Sequence, residues 1–340
     1  MTVLAREIDP RATVATERIP APRAWQPIRI ETFSRRAARR LARGDFDVVH
    51  GFSHTRTQDL FRAGGGSHRD WLRRTHAGAS HAIRTISPRY RVRFAIERDV
   101  FERSGQRIQC ASRLVADTLE RKHGVAPERI LLLPNAVEAE AFSPERHAAA
   151  ARALRAEQTP SAARIWLFPA SGWHRKGLET ALRALALRPA EEVLWIAGGD
   201  RPAPWRAKAR AYGVGDRVRF LGRRDDMPAV YAAADGVVLP TRYDPFANAT
   251  LEAAAAGRAV VTTRANGASE WLGEEVLLLD RPDDAEGLAA ALGTLAEEAE
   301  RARRGTALRA HASTLDWPSH VARLREEYAC LAARRLRASA

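Results

Sequence analysis

Short apolar runs rich in β-branched residues alternate along this chain with segments of helical pattern. The runs are "FDVVHGF" (46–52), "RIQCAS" (107–112), "RILLLP" (129–134), "RIWLFPA" (164–170), "EVLWIAGG" (192–199), "RVRFLG" (217–222), "GVVLP" (236–240), "AVVTT" (259–263) and "VLLLD" (276–280). Strands that are apolar at nearly every position are typical of parallel sheets that helices cover on both faces. The pattern therefore predicts an α/β fold.

The regular recurrence of strands stops over residues 134–164, in a stretch rich in alanine and arginine and bounded by prolines. A chain of 340 residues is also longer than one hydrophobic core usually serves. We therefore expect a first domain over 1–145, a linker over 146–163 and a second domain over 164–312.

The last segment, 313–340, carries one apolar stripe of helical spacing. Its members are Val321, Leu324, Tyr328 and Leu331, separated by three, four and three positions. A stripe of this kind packs against other residues, and we expect this helix to return toward the first domain.

The formal net charge of +14 invites a nucleic-acid interpretation. Only three of the 55 basic residues are lysines, however, and the arginines are spread over most of the length, as a genome-wide codon bias produces. We therefore expect no nucleic-acid partner and favour peripheral contact with an anionic membrane surface.

The sequence also bears on compartment and on metals. No apolar run approaches the roughly 20 residues that span a bilayer, and the N-terminus is charged where a signal peptide is apolar. We expect a cytoplasmic protein, with the cytoplasmic face of the inner membrane as the place of any peripheral contact. Cys110 and Cys330 are too few for a disulfide framework or a structural zinc site. The "DFD" at 45–47 imitates a metal-binding pattern, but it precedes a strand and favours capping, so we predict no metal.

Two carboxylates flank a turn and an alanine-rich helix in "RYDPFANATLEAAAAGRAVVTT" (242–263). We predict a helix from about Ala247 that Gly257 ends, with Asp244 in the preceding turn and Glu252 on its second turn. Unpaired N–H groups from Phe246 onward, as far as Ala249, are expected to form an anion site at the helix N-terminus. The alternative is that Asp244 only caps the helix and Glu252 is a solvated charge.

A basic turn follows a strand in "PASGWHRKGLETALRAL" (169–185). Arg175 and Lys176 would lie before a helix at the carboxyl edge of a parallel sheet, where α/β proteins bind ligands. Two cations there could neutralise a leaving diphosphate. The alternative is an exposed basic loop.

Two further segments have both a functional and a structural interpretation. In "TRTQDLFRAGGGSHRDWL" (55–72), three glycines allow close backbone approach to a ligand, and His68 follows them at once. In "SPRYRVRFAIERDVFERSG" (87–105), aromatic residues share one flank of a predicted helix and arginines supply positive charge. That helix is either a membrane-surface face or a core helix with a solvated side.

Taken together, these segments resemble the family 4 glycosyltransferases of the GT-B fold, from about Asp47 onward. The family signature is two acidic residues with seven between them, here Asp244 and Glu252, followed by small residues, a glycine and a strand. The turn "RKG" (175–177) and the segments 124–137 and 217–241 also stand where the family has them. The resemblance implies two Rossmann-like, doubly wound domains that face a cleft.

The resemblance also implies roles for individual residues. In such enzymes the second acid, here Glu252, binds the ribose hydroxyls of a nucleoside diphosphate sugar, and the first, here Asp244, binds hydroxyls of the transferred sugar. The cations stabilise the diphosphate, and His68 matches the histidine near the reacting end of the donor sugar. The remaining implied donor contacts are Gly172, Gly222, Phe246, Ala247 and Asn248.

Within the family, "GWHRKGLETALRAL" is most similar to the glucosyltransferases of the lipopolysaccharide core, which take glucose from UDP-glucose to inner-core heptose. The implied reaction retains anomeric configuration and uses neither a metal nor a cofactor. A glycolipid or polysaccharide is the implied acceptor.

Two departures from the family pattern bear on these expectations. The first acidic position is Asp where the family usually has Glu, so the sugar contact differs in reach. The chain also starts at the family's second strand, "MTVLAREI", which suggests a downstream start site or a first domain that lacks its first strand and glycine-rich loop. The alternatives to glycosyl transfer are another GT-B activity, such as sugar-nucleotide epimerisation, and a basic binding protein with a degenerate site.

Overall fold

The computed structural model describes residues 1–23, 25–44, 46–76, 78–103, 105–159 and 163–339. Asp45 of the "DFD" pattern and residues 160–162 of the predicted linker lie outside these ranges. The chain divides into two compact units, one formed by Met1–Leu133 with Ala322–Ala340 and the other by Pro134–Val321.

The first unit holds a four-stranded parallel sheet and a separate parallel pair. The strands are β1 (Thr2–Ala5), β2 (Ala15–Arg18), β3 (His50–Gly51), β4 (Leu60–Arg62), β5 (Arg107–Cys110) and β6 (Ile130–Leu132), and the helices are α1 (Gln26–Leu41), α2 (His68–Thr75), α3 (Gly78–Ile86), α4 (Pro88–Arg98) and α5 (Arg113–His123). β1 pairs with β2, and β3 to β6 follow one another across the sheet in chain order. Parallel neighbours need crossovers, which the helices between these strands supply.

In the structure, segment 87–105 forms a core helix with one solvated side, the second of the two interpretations of its sequence. α4 runs into a π-helical turn at Asp99–Arg103, and Ile96 of α4 lies with Val100 and Phe101 of the turn in the hydrophobic core. Tyr90, Ile96 and Phe101 are buried, together with strand and α5 residues. The membrane-surface interpretation of this helix is therefore wrong, because its aromatic flank packs inward. The exposed side chains of α4 include Arg89, Arg91 and Arg98.

The second unit is built on one six-stranded parallel sheet. The strands are β7 (Arg164–Pro169), β8 (Glu192–Ala197), β9 (Val218–Gly222), β10 (Gly236–Leu239), β11 (Ala259–Thr263) and β12 (Leu277–Leu279), and the helices are α6 (Pro144–Gln158), α7 (Trp173–Lys176), α8 (Leu178–Ala186), α9 (Ala203–Ala211), α10 (Met227–Ala233), α11 (Asn248–Ala255), α12 (Ala285–Thr294) and α13 (Glu298–Ser313). The nine apolar runs of the sequence all contain strands, and the α/β prediction is confirmed.

The order of strands in this sheet is β12, β11, β10, β7, β8, β9. The chain begins at β7, adds β8 and β9 on one side, and then crosses to add β10, β11 and β12 on the other. The strand order therefore reverses between β7 and β10, which are neighbours. In open parallel sheets, ligands bind beyond the carboxyl ends of the strands at such a reversal.

The predicted domain limits differ from the limits of the two compact units. The boundary falls between Leu133 and Pro134, and α6 covers most of the segment 146–163 that we expected to be a linker. Alanine and arginine favour helix strongly, and burial of Ala151 and Leu154 gives α6 an inner face.

The C-terminal helix α14 (Trp317–Ser339) crosses the division at Val321, and its residues from Ala322 belong to the first unit. Leu324, Tyr328 and Leu331 of the predicted stripe pack with apolar residues of that unit, whereas Val321 is exposed. Glu327 forms a two-armed salt bridge to Arg107, at 2.6 Å and 2.9 Å.

Candidate functional site

The two loops that the sequence singled out in the second unit meet at the strand reversal. β7 leads into the turn that holds Arg175 and Lys176, and β10 leads into the turn that holds Asp244. Because β7 and β10 are parallel neighbours, their carboxyl ends open on the same edge of the sheet. The topology thus joins segments that lie about 70 positions apart.

Gly177 allows the two loops to pack closely. It has φ of 84°, a left-handed conformation that favours glycine, and a Cβ there would overlap the carbonyl of Pro240. The backbones are also bonded, since the N–H of Arg242 donates to the carbonyl oxygen of Arg175 over 2.8 Å. The glycine of "RKG" is therefore required by packing as well as by the turn.

Asp244 lies at the centre of a charge cluster. Its Oδ2 accepts a hydrogen bond from Nη1 of Arg175 at 3.0 Å and another from Nζ of Lys176. Asp244 and Lys176 are buried, and the Arg175 side chain is 28% exposed. The sequence predicted both motifs but not this direct pairing of the first acid with both cations.

The ionisation of the cluster follows from its composition. Burial opposes the charge of Asp244, but Lys176 and Arg175 outweigh burial and lower the pKa of its carboxyl below the ordinary value. Burial lowers the pKa of Lys176, and Arg175 lowers it further, while Asp244 acts in the opposite direction. Two cations and one carboxylate leave a net positive charge at the edge of the sheet.

The cluster retains capacity for an anion. A guanidinium has five N–H donors. Among the described residues, the side-chain hydrogen bonds of Arg175 come from Nη1 alone, to Asp244 and to the carbonyl of Tyr243. Its partial exposure leaves the other donors in a position to bind a phosphate group, bidentate binding being a property of arginine.

The turn before α11 differs from the expected row of unpaired N–H groups. The N–H of Phe246 donates to Oδ1 of Asp244 at 3.1 Å, and the N–H of Ala247 donates to Oδ1 of Asn266 at 3.2 Å. The prediction that these two groups are unpaired is therefore wrong. Side-chain oxygens satisfy them because both residues are buried, where an unpaired N–H is costly.

Asn266 is a structural residue of this turn that the sequence analysis missed. It is fully buried, and its Oδ1 accepts from the N–H groups of Ala247 and Ala268. Its Nδ2 donates to Thr250 Oγ1 at 2.8 Å and to Thr262 Oγ1 at 3.1 Å. The backbone beside it also bonds to Asp244. A signal was present, since Asn266 follows β11 at the same edge of the sheet.

Glu252 projects from α11 within this unit and is half-buried. Its Oε2 accepts a hydrogen bond from Oη of Tyr231 at 2.9 Å. Burial raises the pKa of Glu252, and the hydrogen bond from Tyr231 acts in the opposite direction. Glu252 is therefore not the freely solvated charge of the alternative interpretation.

The remaining predicted contacts of this unit lie before α7, at the end of β9 and at the start of α11. The N–H of Gly172 donates to Oδ2 of Asp200 at 2.6 Å, and the carbonyl of Gly222 accepts from the N–H of Gly198 at 2.8 Å. Asn248 is the first residue of α11, and its Oδ1 accepts from Asn135 at 2.7 Å.

His68 belongs to the first unit, where it is the first residue of α2. Its ring stacks on Trp71 and on Tyr90, with centroids 4.9 Å and 5.1 Å away. Nη1 of Arg93 lies 3.1 Å from its Nε2. Because a guanidinium can only donate, Nε2 must be the acceptor and the ring proton must lie on Nδ1.

The surroundings of His68 keep it neutral. Burial lowers its pKa to about 3, with Arg93 contributing in the same direction. Glu97 accepts hydrogen bonds from the backbone N–H groups of His68 and Arg69, so a buried carboxylate caps the helix that carries the histidine. Burial raises the pKa of Glu97 to about 7. The sequence analysis did not single out Glu97.

The described residues contain no group of three or more His, Cys, Asp or Glu side chains that could hold a metal ion. In the same residues, no helix is both long and apolar enough to cross a membrane. Cys110 is buried and Cys330 is exposed, and both are free thiols.

Two parallel-sheet α/β units, one with its polar cluster at a strand reversal, define a protein of the GT-B class. Residues 1–141 match the family model described as Glycosyltransferase Family 4, and residues 163–298 match the model described as Glycosyl transferases group 1. The chain belongs to the family 4 glycosyltransferases.

Three relatives named as glycosyl-transferring enzymes support this assignment. A probable transglycosylase of Burkholderia thailandensis is 30% identical over 273 residues, which are 79% of this chain and 68% of that protein. A D-inositol 3-phosphate glycosyltransferase of Corynebacterium kroppenstedtii is 31% identical over 245 residues, or 66% of this chain and 54% of that protein. The lipopolysaccharide glucosyltransferase WaaG of Escherichia coli is 27% identical over 208 residues, or 56% and 52%. The chain thus spans about half the length of the latter two.

Solved structures show the same fold. The crystal structure of WaaG, a glycosyltransferase involved in lipopolysaccharide biosynthesis, matches with a TM-score of 0.80 at 22% identity, over 93% of this chain and 87% of that one. Anabaena HepE in complex with UDP-glucose matches with a TM-score of 0.67 at 19% identity, over 93% and 86%.

Proposed function

We propose that this protein is a retaining glycosyltransferase that moves a hexose, glucose from UDP-glucose, to a lipopolysaccharide-core or other envelope glycan. The observation that carries the proposal is the pairing of Asp244 with Arg175 and Lys176 at the strand reversal, with Glu252 eight residues further on. The names of two relatives support it: WaaG of Escherichia coli is a glucosyltransferase, and HepE was solved with UDP-glucose.

In this proposal the two cations hold the diphosphate. Arg175 has donors left for a bidentate contact, and Lys176 lies one residue away on the same turn. Preorganised cations in a site of low water content stabilise a developing phosphate charge by several kcal/mol. Gly172 lies on the loop that leads to Arg175, and Gly222 ends β9; both would border the donor.

The two carboxylates would bind hydroxyls. Glu252 accepts hydrogen bonds from the ribose, and Asp244 accepts from the transferred sugar while it stays paired with the cations. Because Asp is shorter than Glu by one methylene, Asp244 would approach the sugar less closely than a glutamate does. Among the groups after it, Asn248 stands at the helix start, where its N–H is favourably oriented toward an anion.

The bond changes of the proposed reaction are those of a same-face displacement. The bond between the sugar C1 and the diphosphate oxygen breaks, and a bond from C1 to an acceptor hydroxyl oxygen forms on the same face. The acceptor proton passes to the leaving phosphate oxygen. We propose that neither a metal nor a cofactor takes part and that neutral His68 donates a hydrogen bond to the sugar from Nδ1.

We also propose peripheral contact with an anionic membrane, which would bring the enzyme to a glycolipid acceptor. The surface that supports this proposal is helix α3, none of whose residues is buried. Ile83 and Ile86 of α3 are 66% and 71% exposed, and Arg84 of the same helix is exposed as well. Apolar residues flanked by cations are typical of interfacial helices.

The test begins with calorimetry of UDP, UDP-glucose and other nucleotide sugars, followed by NMR of each reaction with EDTA present. Glycan acceptors of the lipopolysaccharide core and inositol 3-phosphate are offered in parallel, since relatives carry both names. Transfer with a new α-anomeric signal from UDP-α-glucose supports the proposal. Absence of UDP binding contradicts it. Conversion of the nucleotide sugar without an acceptor would instead identify an epimerase.

A further inference from the structure

Tyr231 places a phenol group directly against the second acid of the site. Its side chain is fully buried on α10, and its Oη lies 2.9 Å from Oε2 of Glu252 and 3.2 Å from the carbonyl of Ala249. The sequence analysis did not single out this residue, which lies within the apolar face of a short helix, 21 positions before Glu252.

The packing around Tyr231 holds its ring in place. α10 packs against α6, and the ring meets Phe142 edge to face with centroids 5.9 Å apart. A buried hydroxyl without a partner is costly, so Oη must keep its hydrogen bond to Glu252 or to the backbone. The tyrosine is therefore the rigid member of the pair and the glutamate is the adjustable one.

The hydrogen bond occupies one oxygen of Glu252 and leaves the other. A carboxylate has two oxygens, each able to accept more than one hydrogen bond. Among the described residues, Tyr231 is the one side chain that bonds to this carboxylate, and the bond is to Oε2. The bond at Oε2 thus holds Oε1 in a defined direction. No other side chain of the described residues donates a hydrogen bond to Oε1.

We propose that Tyr231 is a positioning residue that fixes the rotamer of Glu252 so that its carboxylate meets the ribose hydroxyls of the donor. This inference rests on the proposed function. It extends that function, because it assigns a part in recognition of the ribose hydroxyls to a residue that would not itself touch the nucleotide.

The experiment compares Tyr231→Phe with Tyr212→Phe in the full chain. Tyr212 is a matched control, since its hydroxyl donates to Oε1 of Glu179 at 2.9 Å, elsewhere in the same unit. We expect Tyr231→Phe to raise the Kd for UDP and the KM for the donor by about tenfold, the scale of one charge-assisted hydrogen bond, with kcat at saturating donor nearly unchanged. Tyr212→Phe is expected to change neither.

Two further measurements separate positioning from a general loss of structure. With 2′,3′-dideoxyuridine 5′-diphosphate as the probe, wild type and Tyr231→Phe should bind equally, because the hydroxyls that Glu252 would accept from are gone. In a Glu252→Gln background, Tyr231→Phe should add little. Melting temperatures are recorded for every variant.

The outcomes are distinct. If wild type does not bind UDP, the proposed function fails and takes this inference with it. If wild type binds UDP and Tyr231→Phe binds it equally well, the positioning role alone is overturned. It is also overturned if Tyr231→Phe weakens UDP and the dideoxy nucleotide by the same factor.

Discussion

Nη1 of Arg175 lies 3.0 Å from Oδ2 of Asp244, although the two residues are 69 positions apart in the chain. Through this contact and that of Lys176, the first acid of the family signature is bonded directly to both cations. Asp244 thereby orients the groups that, in the proposed function, receive the diphosphate. It also supplies the counter-charge that a buried lysine needs, and this gives the contact consequences for stability as well as for binding.

Replacing Asp244 by Asn should destabilise the protein, because Lys176 would be left buried without a charged partner. Breaking a buried pair from one side typically costs about 3 kcal/mol, and urea unfolding would measure it. Asp280→Asn is the control, since its salt bridge to Arg264 is exposed and is expected to contribute less than about 1 kcal/mol. Equal stabilities of the two variants would contradict a stabilising role for the cluster.

The same pair predicts a pH dependence. The pKa of Asp244 is lowered in the folded state, so its stabilisation is present above the ordinary carboxyl pKa and is lost as the pH falls through the folded-state value. In Asp244→Asn this acid loss should be smaller. Parallel acid slopes for wild type and variant would show that Asp244 does not contribute.

Replacing Lys176 by Ala should weaken UDP binding by about tenfold, while the binding of uridine should stay unchanged. The reason is that the lost ammonium acts on the diphosphate and not on the nucleoside. Calorimetry with both ligands tests this. Lys208→Ala removes another lysine that is paired with a carboxylate, Glu179 at 2.6 Å, and is expected to bind UDP normally. Equal losses for UDP and uridine would place Lys176 away from the phosphates.

Glu97 predicts a stability change near neutral pH. Its pKa is raised from 4.5 to about 7, so the folded state binds the proton more tightly, and this contribution is lost as the pH rises from about 4.5 through about 7. Relative to Glu97→Gln, wild type should lose about 2–3 kcal/mol between pH 4.5 and pH 8. Arg69 and Arg93 are the charged groups that act on Glu97, and both lower its pKa against the effect of burial. If the free energies of unfolding of wild type and Glu97→Gln change with pH in the same way, the raised pKa of Glu97 is wrong.

His68→Ala should lower kcat by about 100-fold without changing the affinity for UDP, if the neutral imidazole donates from Nδ1 to the transferred sugar. His68→Asn offers a donor in a similar place and should retain more activity. Steady-state kinetics and calorimetry on the same samples test the two statements. A kcat of His68→Ala equal to that of wild type would show that His68 has no part in the transfer step.

The exposed pair on α3 predicts membrane binding. The double variant Ile83→Ser, Ile86→Ser should sediment less with phosphatidylglycerol vesicles than wild type, and the wild-type binding should weaken with added salt. Leu336→Ser is the control, because Leu336 is 74% exposed on α14 and lies outside α3. If all three proteins bind these vesicles equally, α3 is not the contact.

The sequence by itself determined the fold class and the location of the candidate site. Both depend on short-range patterns: apolar runs alternating with helices, an acidic pair of fixed spacing, and a basic turn after a strand. The limits of α11 and the positive φ of Gly257 follow from the same local chemistry. The helix over 144–158 was missed because an alanine-rich stretch without a strong apolar stripe resembles a linker.

Only the tertiary structure decided which groups in the site touch. Asp244 meets Lys176 because β7 and β10 are neighbours in the sheet, and that order depends on crossovers far longer than any sequence window. Asn266 takes up the N–H of Ala247, and Tyr231 holds Glu252, because buried polar groups must find partners wherever the packed chain brings them. Burial is a property of the folded chain, and it raises the pKa of Glu252 and lowers that of His68, whereas the paired cations outweigh burial and lower the pKa of Asp244.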